Sequence, residues 1–127
     1  MRETLYDPIR RRRVIATPEE KVRQRFIQTL LRQGYPLSAI QVEYKVGRGR
    51  FDVAVLKRDG SLWLLAECKA SSAAAVQSQW LQTWTQLRRY AQALPPVHHW
   101  VVVWGSQVWC WKADTGQLLE ALPPYPA

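Results

Sequence analysis

Apolar residues recur along this chain in two rhythms, one helical and one strand-like. Val22, Phe26, Ile27, Leu30 and Leu31 fall three and four apart, the spacing that lays one side of an α-helix on a core. The stretch opens with Thr17-Pro18-Glu19-Glu20: Thr17 suits an N-cap, Pro18 the first helical position, and Glu20 completes a capping box. Gly34-Tyr35-Pro36 stops it, so the spacing predicts a helix over about residues 18–33. Val76, Trp80, Trp84, Leu87 and Ala91 form a second apolar stripe, predicting a helix over about residues 75–94 that Pro95-Pro96 ends. Gln79, Gln86 and Tyr90 lie on a different side of that helix.

The strand-like segments lie between and after these helices. Residues 39–46 alternate loosely, Gly47-Arg48-Gly49-Arg50 reads as a turn, and residues 51–57 put Val53 and Val55 on one side. Asp59-Gly60 is a strong hairpin signal leading into residues 61–69, which are apolar along most of their length. Continuous apolar character fits a central strand covered on both faces, against which the charged carboxyl end stands out. Residues 98–104 and 107–112 read as two more strands joined by Gly105-Ser106, and residues 1–16 as irregular or loosely extended. The order is helix, three strands, helix, two strands. It predicts an α/β or α+β fold with a mixed sheet of about five strands flanked by helices. The 127 residues fit one domain, with residues 1–16 as a basic N-terminal arm.

Charge adds a class of partner. Lys and Arg outnumber Asp and Glu by 18 to 10, for a net charge of +8 and a pI near 10.0. Such an excess draws polyanions and supports nucleic-acid affinity without identifying a reaction. Its densest run, Arg10 to Arg13, reads equally as a solvated arm or as a phosphate contact. No apolar run approaches the roughly 18 residues of a membrane span, and no signal-peptide core follows the N-terminal arginines, so a cytoplasmic protein is expected. Cys68 and Cys110, the only cysteines, are expected to be reduced thiols.

Three residues carry the candidate chemistry. Asp52 interrupts an apolar strand, and Glu67 and Lys69 stand two apart near the end of another, so their side chains emerge on one face. Buried charges of this kind are costly unless paired, hydrogen-bonded or metal-bound. Two hard carboxylates and one cation suit Mg²⁺-assisted attack on a phosphate, with the lysine positioning water or compensating developing charge. The competing explanation is a salt bridge between Lys69 and either carboxylate.

A wider pattern surrounds the triad. Arg11-Arg12-Arg13 precedes Ala16-Thr17-Pro18-Glu19-Glu20, followed by Val22-Arg23-Gln24, Gly34-Tyr35-Pro36, Val42-Glu43, Arg50-Phe51-Asp52, Glu67-Cys68-Lys69 and Gln86-Leu87-Arg88-Arg89-Tyr90. In these motifs the chain resembles the N-terminal domain family of type I restriction enzyme R subunits, a branch of the PD-(D/E)XK nucleases. The resemblance implies Mg²⁺-dependent hydrolysis of phosphodiester bonds in DNA, with Mn²⁺ able to substitute. It makes Asp52 and Glu67 metal ligands and Lys69 the catalytic lysine. Gln86 and Tyr90 match a QxxxY helix motif and are expected at the DNA backbone or the water network, Gln86 counted with the catalytic residues. Phe51 stands where many members have proline. These nucleases often add an acidic residue from the first helix; Glu20 is explained as the cap, whereas Glu19 precedes Val22 and Phe26 by three and seven, and Glu19 is favoured. Glu43 also matches the pattern, with a role that could be structural. Arg12, Arg50, Arg88 and Tyr90 are the expected nucleic-acid contacts.

Two other functions compete with the nuclease: a catalytically silent module that grips DNA, and a structural domain that packs on a partner. The intact Asp52, Glu67, Lys69 set favours the enzyme. No phosphate-binding GxxxxGK[ST] loop is present, so DNA translocation is not expected of this chain. DNA is the expected partner, together with either a second copy of the chain or a motor or specificity subunit. The paired tryptophans Trp100 and Trp104, and Trp109 and Trp111, are explained by packing, and His98 and His99 by surface placement.

Overall fold

The computed structural model describes residues 2–47, 49–70 and 96–127. Its elements are β1 (Thr4–Asp7), β2 (Arg12–Ile15), α1 (Pro18–Arg32), a 3₁₀ turn (Leu37–Ala39), β3 (Ile40–Val46), β4 (Gly49–Leu56), β5 (Leu62–Lys69), β6 (Val97–Trp104), β7 (Gln107–Lys112) and β8 (Leu118–Leu119). Strands β3 to β8 form a six-stranded mixed sheet in chain order, parallel only between β5 and β6. Among the described residues the class is therefore α+β, with one helix. The expected second helix over residues 75–94 lies outside them.

Helix α1 forms where the sequence signals put it. Thr17 Oγ1 accepts the Glu20 N–H at 3.1 Å as N-cap. At the other end Gly34 takes a left-handed φ of 89°, letting the Tyr35 N–H return to the Leu30 carbonyl at 3.0 Å. Phe26, Ile27 and Leu30 are fully enclosed, packing with Val53, Val55, Leu64, Ala66, Val101 and Val103 of the sheet. Each such side chain contributes on the order of 1.5–3 kcal/mol by leaving water. A second buried cluster joins Phe51, Ala54 and Leu65 to Trp100, Trp104 and Trp111, so these tryptophans do pack in the core as expected. Strand β5 supplies both clusters, through Leu64 and Ala66 to one and Leu65 to the other, as befits a central strand.

Four expectations need correction. Residues 1–16 are not an irregular arm: β1 and β2 pair antiparallel, Thr4 opposite Ile15 and Asp7 opposite Arg12. The sheet has six strands rather than five, because Leu118–Leu119 pairs back onto Cys110 and Trp111, too short a stretch to show periodicity. The turn after β3 is tighter than residues 47–50, since Gly49 and Arg50 already pair with Val46 and Lys45. His99 is buried rather than on the surface, its ring centroid 4.4 Å from that of Trp63, and burial lowers its pKa. Cys68 and Cys110 are, as expected, free thiols; burial pushes Cys110 up to about 12 and Cys68 well above its ordinary value.

Candidate active site

The site forms where the β3–β4 ladder is interrupted. Val42 pairs with Val53 and Tyr44 with Phe51, but the ladder skips Glu43 and Asp52 between them. Glu43 has a left-handed φ of 51°, a conformation that costs a non-glycine residue about 1–3 kcal/mol. The two strands change face here together. Ile40, Val42, Val53 and Val55 belong to the cluster under α1, whereas Tyr44, Val46 and Phe51 belong to the other.

Released from the regular pattern, the Asp52 carboxylate is held from two sides. Its Oδ2 accepts the backbone N–H of Cys68 at 2.7 Å, and its Oδ1 lies 3.4 Å from Arg23 Nη2 of α1. The Cys68 bond ties Asp52 to the middle of the Glu67-Cys68-Lys69 segment. Glu67 feels the same carboxylate, since the Asp52 charge opposes its ionisation. Burial first, and then the negative charge of Asp52, push the Glu67 pKa from 4.5 to about 8, against the opposing pull of Lys69.

Lys69 lies two residues beyond Glu67 on β5, on the same face, with its backbone carbonyl accepting the Gly105 N–H at 3.2 Å. Among the described residues the ion-pair partner of Asp52 is Arg23 rather than Lys69, whereas the Lys69 charge acts on Glu67. Arg23 was not singled out in the sequence. It is buried on α1 and also lies 3.2 Å from Glu20 and 3.8 Å from Glu43.

The first-helix carboxylates divide differently from expectation. Glu20, taken as the reciprocal half of a capping box, is buried and ion-paired to Arg10 and Arg23, while the Thr17 N–H goes to the Ile15 carbonyl at 2.9 Å. Glu19, favoured as core-facing, is exposed. Its charge nonetheless bears on Glu67 and Cys68, so it stands at the rim of the site. Glu43, also exposed, lies 4.0 Å from Arg10.

Residues 18–125 match the family model described as type I restriction enzyme R protein N terminus. The chain belongs to that family. No curated protein and no solved structure matches it. The matched segment contains α1 and all of β3 to β8, hence Arg23, Asp52, Glu67 and Lys69, and it begins just after the β1–β2 hairpin.

Of the basic residues expected at nucleic acid in this member of the R protein N-terminal family, Arg50 is exposed on β4, two residues from Asp52. Arg12 is exposed on β2 and lines an open groove of about 390 Å³ together with Arg13, Glu19, Arg23 and Glu43. Arg10, in contrast, is neither solvated arm nor free phosphate contact, being committed to Asp7 and Glu20. Gln86, Arg88 and Tyr90 lie outside the described residues. No helix among the described residues is long and apolar enough to cross a membrane.

The donor set discriminates among metals. No group of three or more Asp, Glu, His or Cys side chains able to hold an ion is found among the described residues, which argues against a zinc or calcium cage of such side chains there. Asp52 and Glu67 remain as two carboxylates that feel each other's charge, a donor number that a Mg²⁺ keeping several of its waters can use.

Proposed function

We propose that this chain is a metal-dependent nuclease domain hydrolysing phosphodiester bonds in DNA, on a restriction-endonuclease-like core. The observation that carries this reading is the Asp52 carboxylate of β4 held on the Cys68 amide, between Glu67 and Lys69 at the carboxyl end of central strand β5, with Glu67 feeling its charge. Asp52 and Glu67 would hold Mg²⁺, or Mn²⁺ in its place, and Glu19 stands nearby as a further carboxylate. The bound ion supplies Lewis acidity toward a phosphate oxygen and lowers the pKa of coordinated water. To serve as a ligand Glu67 would have to be ionised, which burial and the Asp52 charge oppose in the absence of a cation. Lys69 orients the attacking water or compensates charge building on the phosphate, an interaction strongest in the transition state. Arg12 and Arg50 grip the DNA backbone, joined by Arg88, Tyr90 and Gln86 on the family resemblance. Sequence choice would come from a partner, either a second copy or a motor or specificity subunit.

A second reading, a catalytically silent DNA-binding or subunit-contact module, draws on Arg23, whose guanidinium already compensates Asp52. Incubating plasmid and single-stranded DNA with Mg²⁺, Mn²⁺ or EDTA separates the two. The nuclease reading expects cleavage with either metal and none with EDTA. It also expects Lys69→Ala to lose on the order of 10²-fold in rate while keeping DNA affinity and thermal stability. Wild-type protein that cuts neither substrate with metal present would leave the silent module standing.

A further inference from the structure

The β1–β2 turn precedes the family-matched segment, yet it holds the most deeply buried acid among the described residues. Asp7 has no exposed surface; its Oδ1 accepts the Ile9 and Arg10 N–H groups at 2.7 and 3.2 Å, and its Oδ2 pairs with the Arg10 guanidinium. Arg10 reaches from the turn to Glu20 on α1, Glu20 lies against Arg23, and Arg23 against Asp52. Charges alternate along this chain from the hairpin to the candidate metal ligand.

We propose that this ion-pair chain makes the N-terminal hairpin a working part of the site: Asp7 and Arg10 fix Glu20 and Arg23, and Arg23 positions the Asp52 carboxylate. Arg23 needs such support. Its Nε and Nη1, and Glu20 Oε2, are buried without an aligned hydrogen bond, so apart from the long bond of Nη2 to Asp52 it is charge that holds Arg23 in place. Its place therefore follows that of Glu20, which Arg10 anchors. The contact with Asp52 is long at 3.4 Å, and Glu20 and Glu43 share the same guanidinium. Arg23 thus orients Asp52 without cancelling it. Asp7, Glu20, Glu43 and Asp52 share two guanidiniums, so the network does not neutralise all of its carboxylates. That Asp52 is a metal ligand rests on the proposed nuclease reading; that the hairpin positions its carboxylate does not.

The Cys68 amide reports Asp52 directly, because it donates to Oδ2 at 2.7 Å. In metal-free, full-length protein, Arg10→Gln should move the Cys68 amide resonance and speed its hydrogen exchange about 10-fold, the scale of weakening one charge-assisted hydrogen bond. Arg13→Gln, which alters the same hairpin where Arg13 binds Thr4, should leave that amide unmoved. Should Arg10→Gln not fold, Arg10→Lys, which keeps a charge but cannot span both acids, is read the same way. Mn²⁺ affinity should fall on the order of 10-fold in the Arg10 variant, as for loss of a residue that orients a ligand. A folded Arg10 variant with an unchanged Cys68 amide overturns the proposal. Wild type that binds no Mn²⁺ sinks the nuclease reading instead, and the amide still decides whether the hairpin positions Asp52.

Discussion

Replacing Glu67 by glutamine should stabilise the metal-free protein, although it removes the group on which the proposed chemistry depends. The carboxyl ordinarily ionises near 4.5 and in the fold near 8, so between those values the folded chain holds a proton that the unfolded chain has lost. An acid whose folded pKa is raised costs nothing below the unfolded value. The cost grows as pH rises through the interval and is constant above the folded value. The full interval corresponds to roughly 5 kcal/mol and the part acting at pH 7 to about 3; discounting for partial solvent access leaves about 2 kcal/mol. Glutamine does not ionise, and its amide can donate to Asp52. In EDTA at pH 8 the variant should melt higher, by about 4 °C for each kcal/mol in a domain of this size. The advantage should disappear near pH 4, and Mg²⁺ or Mn²⁺ should raise the melting temperature of wild type alone. Melting curves at pH 4, 6 and 8 with and without metal provide the measurement. Parallel curves for the two proteins across this range, or a glutamine variant that melts lower at pH 8 in EDTA, would refute the account of Glu67 as a strained, proton-holding carboxyl.

Two further outcomes follow from charges elsewhere in the fold. Burial alone would raise the pKa of Asp7, but the bonds from Arg10 and from the Ile9 and Arg10 N–H groups outweigh it and hold the carboxyl below its usual range. Its contribution is present above the unfolded value near 4 and lost as pH falls through the lower folded value, so Asp7→Asn should cost about 3 kcal/mol in urea unfolding at pH 7 and progressively less in more acidic solution. DNA affinity should fall with salt in proportion to the phosphates contacted, and Arg12→Gln and Arg50→Gln should each lower the slope of log affinity against log salt by about 1; slopes equal to that of wild type would exclude these residues from the interface.

Much of the fold could be read locally, because its signals are local. Helix α1 was bounded by its cap, its proline and its glycine stop, and the Asp59-Gly60 turn joins β4 to β5 as expected, with Asp59 Oδ1 accepting the Ser61 N–H at 2.9 Å. The N-terminal hairpin escaped because its turn depends on Asp7 binding the Ile9 and Arg10 amides and on Arg11 taking a φ of 56°, which neither Gly nor Asn announced. Asp52, Glu67 and Lys69 were visible for the opposite reason: a charge that breaks an apolar strand is conspicuous. Arg23 was not conspicuous, since its three carboxylate partners come from α1, β3 and β4. Its phase did carry a signal. Glu20, Arg23, Ile27 and Leu30 fall on one stripe by helical spacing and are all buried, so an arginine there had to find anions inside the protein. Phase alone does not separate Glu19 from Glu20, since buried Val22 and Phe26 follow Glu19 at helical spacing; what distinguishes Glu20 is its pairing with Arg10 and Arg23.

Many of the local costs of this fold gather around Asp52. A left-handed glutamate, a half-buried carboxyl whose pKa is raised to about 8, and an arginine and a glutamate whose buried atoms lack aligned bonds belong to one connected set there. Others lie apart, in the left-handed Arg11 of the hairpin turn and the buried, unbonded Gln24 amide of α1. The apolar residues of α1 and of the centres of β4, β5 and β6 are in phase and enclosed, and costs gathered at one polar site beside such a core are the pattern expected when a site is held against its own stability. The costs around Asp52 bear on its geometry. The Glu43 conformation accompanies the break in pairing at Asp52, Arg23 and the Cys68 amide hold its two oxygens, and its charge in turn opposes the ionisation of Glu67.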